Sequence, residues 1–297
     1  MNLLYNFMKK TELRRIVIFL AFTFVITYAW TIFLIWPRVF GFNADALTGE
    51  DAVLKTALTA ALMFFPAIGV LFTRLVTGEG FKDTMLRLNL RGNGRYYLMA
   101  WFGPMVLTLL GAIVYFVLFP SKFTLEQFSG VSSNGSMVVL TIVLLPFTPL
   151  LNLVPCFGEE WGWRGYLLPK VAARMRFLPT VMLTGFIWGI WHAPIVIAGH
   201  NYDARFPCLG VMAMCMFCIV VGVFFSYLTL RVKSCWPAVL AHGAINGTGG
   251  IGILFSNGNI LNAPDCFVGP LPTGIVGGVA YMIVAVWIVL KMCKKNV

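Results

Sequence analysis

Six stretches of this chain, residues 16–36, 56–73, 96–121, 127–158, 206–230 and 266–290, contain no Asp, Glu, Lys or Arg. Two more, 177–199 and 234–264, are interrupted only by His192 and His242. A helix needs about 20 predominantly apolar residues to cross the hydrocarbon core of a bilayer, and only helices or closed barrels satisfy their own backbone polar groups there. The eight runs therefore predict an all-α, polytopic integral membrane protein with eight transmembrane helices. The segments between them leave no room for a soluble module, so residues 1–297 read as a single membrane domain.

The balance of charge is basic, +11 over the whole chain, and its distribution carries more information than its sum. With eight crossings and a cytoplasmic N-terminus, seventeen Lys and Arg fall on the inner side, among them Lys10, Arg15, Arg87, Arg91, Lys170, Arg231, Lys233 and Lys291. Only Arg38, Lys55, Lys122 and Arg205 fall outside. That asymmetry is the positive-inside pattern. It predicts a multi-pass protein of the cell membrane with both termini cytoplasmic, and a weak attraction to anionic lipid heads. The basic residues flank spans instead of gathering into one patch, which argues against nucleic acid as a partner. The first apolar run follows four basic residues, but it is too long for a signal peptide and lacks a small-residue cleavage site, so it reads as a retained helix.

The loops and breakers add detail. Within 77–95, Phe81, Met85 and Leu88 fall at helical spacing, which fits a short helix on the inner membrane surface or a plain solvated loop. The segments 37–55 and 120–136 read as ordinary outer connectors. Pro146, Pro149 and Pro155 predict a kinked fourth span. The glycines from Gly243 to Gly252 allow close helix approach or a cavity wall. Seven cysteines form no disulfide framework. Cys215 and Cys218 make a C-x-x-C with no second pair and no histidine close by in sequence, and read as small packing residues. Cys208 and Cys266 both lie toward the outer surface, and whether they pair stays open.

Against this apolar background, Glu159-Glu160-Trp161-Gly162-Trp163-Arg164 stands out, as do His192, His242 and Asn246. Ionisable groups at membrane depth are costly and mark ion paths, proton relays or chemistry. At about 1.5 Å per helical residue, Glu159 lies some 16 Å from Lys170, His242 about 13 Å and Asn246 about 20 Å from Lys233, and His192 about 20 Å from Pro179. Three segments thus bring polar groups to one level, predicting a polar cavity that opens toward the cytoplasm or laterally to lipid. Glu160 and Arg164 are four residues apart and share a helix face, so Glu160 is expected to pair with Arg164 as structural support. Glu159, turned by about 100°, is left to face the cavity. His242 and Asn246 share a face in the same way. The parts suit hydrolysis by an activated water. Glu159 with His192 takes the water's proton, and His242 with Asn246 stabilises the oxyanion.

Glu159-Glu160-x-x-x-Arg164, Trp188-x-x-x-His192 and His242-x-x-x-Asn246 resemble, in order, the three motifs of the CPBP family, the CAAX proteases and bacteriocin-processing enzymes related to type II CAAX prenyl proteases. Trp188 stands where that pattern usually has Phe. The resemblance covers roughly residues 145–256 and implies a glutamate-dependent intramembrane endopeptidase needing no cofactor. Its catalytic residues would be Glu159, His192, His242 and Asn246, and its substrate a membrane-embedded or lipidated protein, prenylated in some members. Two other readings stay open. Glu159, His192 and His242 are three plausible zinc ligands, although His-Glu-x-x-His is absent. A non-catalytic immunity or scaffold protein is the other; a transporter is disfavoured by the lack of an internal repeat.

Overall fold

The computed structural model describes residues 10–40, 50–126, 139–140 and 142–294. The basic residues Lys9 and Lys295, most of the outer connectors and the start of the fourth apolar run lie outside them, and so does the side chain of Lys55. The regular elements among the described residues are all helices, and the only β pairing among them is an isolated bridge between Phe123 and Ser256.

Helix α1 (Lys10–Trp30) runs on through a π turn, Thr31–Ile35, and a last turn, Trp36–Phe40. It is followed by α2 (Glu50–Leu62), α3 (Phe65–Val76) and α4 (Gly94–Leu118). Next come the short α5 (Thr148–Leu151), α6 (Leu153–Glu160), a π-helical turn Trp161–Leu167, and α7 (Leu168–Ala172). Then follow α8 (Phe177–Trp191), α9 (Ala193–Ile197), α10 (Pro207–Val232), α11 (Trp236–Thr248), α12 (Asp265–Val268) and α13 (Val279–Cys293). Packing is closest between α8 and α10, and α11 is held among α4, α5, α6 and α10.

By length and composition, five helical stretches can cross a membrane: Lys10–Arg38, Thr56–Val76, Gly94–Leu118, Pro207–Val232 and Trp236–Phe255. The pair Ile142–Leu151 and Leu153–Ala172, bent by 44°, makes a sixth if counted as one. The other two runs are only the shorter helices Phe177–Trp191 and Val279–Cys293, so the expected count of eight full spans is not reproduced. Proline explains both shortfalls. Pro194 ends the continuous helix near His192, and Pro270 and Pro272 keep the start of the last run in turns until Val279.

The expected kink is present. Pro149 sits in the first turn of α5 and Pro155 in the first turn of α6, and the chain bends between them. The expected surface helix in 77–95 is absent. Gly78, Gly80, Asp83, Met85 and Asn89 adopt positive φ, which breaks any helix there. The segment instead straps the basic end of the bundle. Met85 accepts a hydrogen bond from the Cys235 amide, Leu86 from the Trp236 indole and Thr84 from the Trp161 indole. Lys170 binds Glu12 (2.7 Å) and Glu79 at the same end, and the Tyr166 hydroxyl donates to Glu79.

The opposite end is tied separately. Lys122 pairs with Asp265, the Tyr202 hydroxyl donates to the Thr273 carbonyl, and Asp203 accepts from the Ala263 amide. Arg205 beside Asp203 holds that carboxyl well below its usual range, so this clamp is ionised at neutral pH.

Glycine sets how close the helices come around the polar residues. A Cβ on Gly247 would lie 2.0 Å from the Thr148 Cβ, and one on Gly158 would lie 2.5 Å from the Met63 carbonyl oxygen and 2.9 Å from the Phe64 Cα. Gly158 immediately precedes Glu159, so its contact with the backbone between α2 and α3 fixes the depth of the carboxylate. Backbone cannot give way as a flexible side chain can. Gly158→Ala is expected to lower stability by about 1–3 kcal/mol, read as a lower midpoint of thermal unfolding in detergent; an unchanged midpoint would contradict the contact.

Candidate active site

The polar residues singled out by the sequence come from α6, α8 and α11. Glu160 is completely buried, and its Oε1 accepts from two donors, Arg164 Nη1 at 3.0 Å and His242 Nδ1 at 2.9 Å. The π turn that follows Glu160 carries Arg164 and buries it, with its guanidinium 4.0 Å above the Trp188 ring centroid and 5.1 Å from that of Phe225. A single carboxylate oxygen thus ties α6 to α11 while Arg164 stacks against α8 and α10.

Glu159 is also buried, but its partner is not a histidine. Trp188 Nε1 donates to Glu159 Oε2 at 2.9 Å, whereas His192 bonds Trp188's own carbonyl through Nδ1 at 2.9 Å. Glu159 and His192, expected to act together on one water, are thus each bonded to Trp188, one to its indole and the other to its carbonyl. The reason lies in the helix. His192 is the residue at which α8 ends, so its ring folds back onto the carbonyl four residues earlier, left without a helical donor. Both rings sit around the same indole, Trp188–His192 at 5.7 Å and Trp188–His242 at 5.5 Å between centroids.

The bonding also assigns protons. A carbonyl and a carboxylate only accept, so Nδ1 carries the hydrogen in both His192 and His242. In the neutral ring Nε2 is then an acceptor, and His242 donates from Nε2 only after gaining a second proton. The expected pair of donors, His242 with Asn246, is modified accordingly. Asn246 lies one turn further along α11, with its amide nitrogen 3.7 Å from the Cys156 sulfur.

Glu159, His192, His242 and Asn246 all line one cavity of about 790 Å³. Trp188, Asn152, Cys218 and the Gly249-Gly250 backbone contribute to its wall, as do Thr27, Thr56 and Thr59 from the first two helices. Two of its residues were undervalued in the sequence. His200, which belongs to none of the three motifs, borders the cavity. The C-x-x-C is not remote from histidine, because Cys218 Sγ is 3.9 Å from His192 Nδ1. The only advance signal for the latter was that both groups belong to adjacent apolar runs. All seven cysteines are free, and Cys208 is exposed while Cys266 is buried.

The cavity wall extends toward one end of the bundle. Beyond the polar cluster the lining continues through Leu261, Pro272 and Thr273, which belong to the end away from the basic loops. Among the described residues no three of His, Cys, Asp and Glu converge as metal ligands.

Residues 137–248 match the family model described as type II CAAX prenyl endopeptidase Rce1-like. Over that segment the chain is similar to the Rce1-like endopeptidases. The matched segment contains Glu159, Glu160, Arg164, Trp188, His192, His242 and Asn246. A curated relative, CAAX prenyl protease 2 of Methanococcus maripaludis, is 24% identical over 229 residues, which cover 75% of this chain and 80% of the relative. Both matches are to enzymes that hydrolyse peptide bonds, and they agree with an all-helical protein carrying long apolar helices.

Proposed function

We propose that this chain is an intramembrane endopeptidase that uses Glu159 to activate a water against a peptide bond of a membrane-embedded or lipidated protein. The observation that carries the reading is the gathering of Glu159, His192, His242 and Asn246 on the wall of one cavity. Trp188 holds Oε2 of Glu159, which leaves Oε1 for the water. As the water oxygen adds to the carbonyl carbon, its proton passes to Glu159. Nε2 of His192 is an acceptor in the neutral ring and orients the same water. The oxyanion is stabilised by the Asn246 amide and by His242 in its doubly protonated form, with the Glu160 carboxylate behind it. The C–N bond then breaks, and Glu159 returns the proton to the leaving amine. Glu160 and Arg164 support this arrangement by tying together the helices that bear it. No cofactor enters the scheme, lipid surrounds the bundle, and nucleic acid has no part.

The orientation proposed with it is that of the charge distribution, both termini in the cytoplasm. Lys10, Arg87, Lys170, Arg231 and Lys291 belong to the end held together by the Lys170, Glu12 and Glu79 contacts and by the 77–95 strap.

The direct experiment compares membrane proteomes of wild-type and Glu159→Gln cells. Uncut precursors are expected to accumulate in the variant, and identical proteomes with equal protein levels would remove the hydrolytic reading. Activity is also expected to survive prolonged treatment with a strong chelator; its loss and recovery on adding zinc would favour the metal alternative. Trp188→Phe keeps a ring between the histidines but removes the N–H on Glu159. Because a hydrogen bond to a charged group contributes about 1.5–3 kcal/mol, kcat is expected to fall about tenfold or more with KM little changed. An unaltered kcat would show that the carboxylate is placed by other contacts.

A further inference from the structure

Helices α4, α10 and α13 pack against one another, and each bears a cation at the end covered by the 77–95 strap. Arg95 is in the first turn of α4, Arg231 in the last turn of α10 and Lys291 in the last turn of α13. The two guanidiniums bracket a pair of tyrosines. Arg95 lies over the Tyr96 ring at 4.9 Å and Arg231 over the Tyr227 ring at 5.4 Å, and the two rings meet edge to face at 6.1 Å. Both cations act electrostatically on the Tyr96 hydroxyl.

Among the described residues no carboxylate answers them. Glu12 and Glu79 at the same end are taken up by Arg15 and Lys170, and the ion pairs include neither Arg95 nor Arg231. Arg231 is also short of hydrogen-bond partners. Its Nη2 meets the Met292 sulfur at 3.4 Å, a weak acceptor, and its Nε is buried with no partner among the described residues. Enclosed donors of this kind almost always have an acceptor. The depth is that of phospholipid headgroups. Gly94–Leu118 and Pro207–Val232 are both long and apolar enough to cross a membrane, and the arginines stand one residue inside their ends. On α13 the Lys291 ammonium lies 4.4 Å over the ring of the exposed Trp287, a pairing suited to the boundary between lipid and water.

We propose that the groove at this end of α4, α10 and α13 binds the phosphate of an anionic phospholipid, held by Arg231 and Arg95. Guanidinium forks match phosphate oxygens two at a time, and one such oxygen supplies the acceptor that Arg231 Nε lacks. A phosphodiester with an uncharged headgroup, as in phosphatidylglycerol, brings negative charge alone to two uncompensated guanidiniums. A zwitterionic headgroup brings a cation to the same place, where like charges repel. None of these residues lines the cavity that holds Glu159, and the site is the same whichever side of the membrane this end occupies. Helix α10 also carries Phe225, 5.1 Å from the Arg164 guanidinium, so lipid that fixes its end steadies a helix on which the polar cluster leans.

Thermal unfolding of the full-length protein in nanodiscs of phosphatidylcholine, with and without phosphatidylglycerol, tests the site. A ligand that binds only the folded state raises the midpoint, and phosphatidylglycerol is expected to raise that of the wild type by about 3–5 °C. Arg231→Gln and Arg95→Gln are expected to lose most of the rise. Arg87→Gln, which removes a charge from the 77–95 strap outside the groove, is expected to keep it. No rise in the wild type would overturn the proposal. So would a rise that persists in both groove variants or falls equally in Arg87→Gln, either of which means diffuse attraction to a basic surface. Native mass spectrometry of protein released from the mixed discs reads binding directly. Wild type and Arg87→Gln are expected to retain phosphatidylglycerol and Arg95→Gln to lose it; equal retention, or none in the wild type, would contradict the site. Should Arg231→Gln not accumulate, Arg95→Gln carries the test, because Arg95 is exposed. Inorganic phosphate added to phosphatidylcholine discs separates the two sources of the anion. It is expected to leave the midpoint unchanged, and a rise equal to that from the lipid would overturn the lipid as occupant.

Discussion

Arg164→Ala is expected to lower the stability of the protein by about 3–5 kcal/mol, the usual consequence of leaving one member of a buried ion pair uncompensated. Glu160 has no exposed surface, and its Oε2 has no hydrogen-bond partner among the described residues. Removing Arg164 leaves that carboxylate with His242 alone. The change also empties the space over the Trp188 ring, where the guanidinium sits 4.0 Å from the centroid, and a desolvated cation–π contact contributes up to about 2 kcal/mol. Thermal unfolding in detergent, together with the yield of membrane-inserted protein, measures the effect. Glu159→Gln is the matched control, since glutamine keeps the shape and can still accept from the Trp188 indole. Equal melting of the two variants would contradict the division of labour between the adjacent glutamates.

Glu159→Gln is expected to reduce cleavage by about 10²–10⁴-fold, the contribution typical of a positioned general base. An amide cannot take the water's proton at neutral pH, and the nearest candidates to replace it are committed elsewhere. Glu160 is occupied by Arg164 and His242, and His192 donates from Nδ1 to the Trp188 carbonyl. KM is expected to change little, because substrate contacts along the cavity wall remain. A variant that lost cleavage only in proportion to its folded fraction would instead place Glu159 in the scaffold.

Much of this architecture was legible in the chain before any coordinates. Charge-free runs announced the helices, and the four-residue spacing of Glu160 and Arg164 announced their shared face, where the structure has an ion pair at 3.0 Å. What was not legible depends on where helices stop. Pro194 ends α8 beside His192, whose ring bonds the Trp188 carbonyl. The partner of Glu159 was hidden for a related reason. Periodicity ranks Trp188 as one more buried aromatic, and only the approach of α6 to α8 brings its N–H onto a carboxylate. Residues 77–95 show helical spacing of Phe81, Met85 and Leu88, yet positive φ at Asp83 and Met85 overrides it. The carbonyls freed in this way accept from indoles and amides of other elements, which is tertiary information. Depth estimates placed the polar groups at one level, but level does not indicate toward which end of the bundle the cavity wall extends.

The most direct measurement is the cleavage rate of purified Glu159→Gln relative to wild type, each normalised to folded protein and assayed in chelator on a precursor identified from the proteome comparison. The account expects wild-type cleavage to persist and the variant to lose at least about a hundredfold while melting at the wild-type temperature. A variant that cleaves within a few fold of wild type would contradict it.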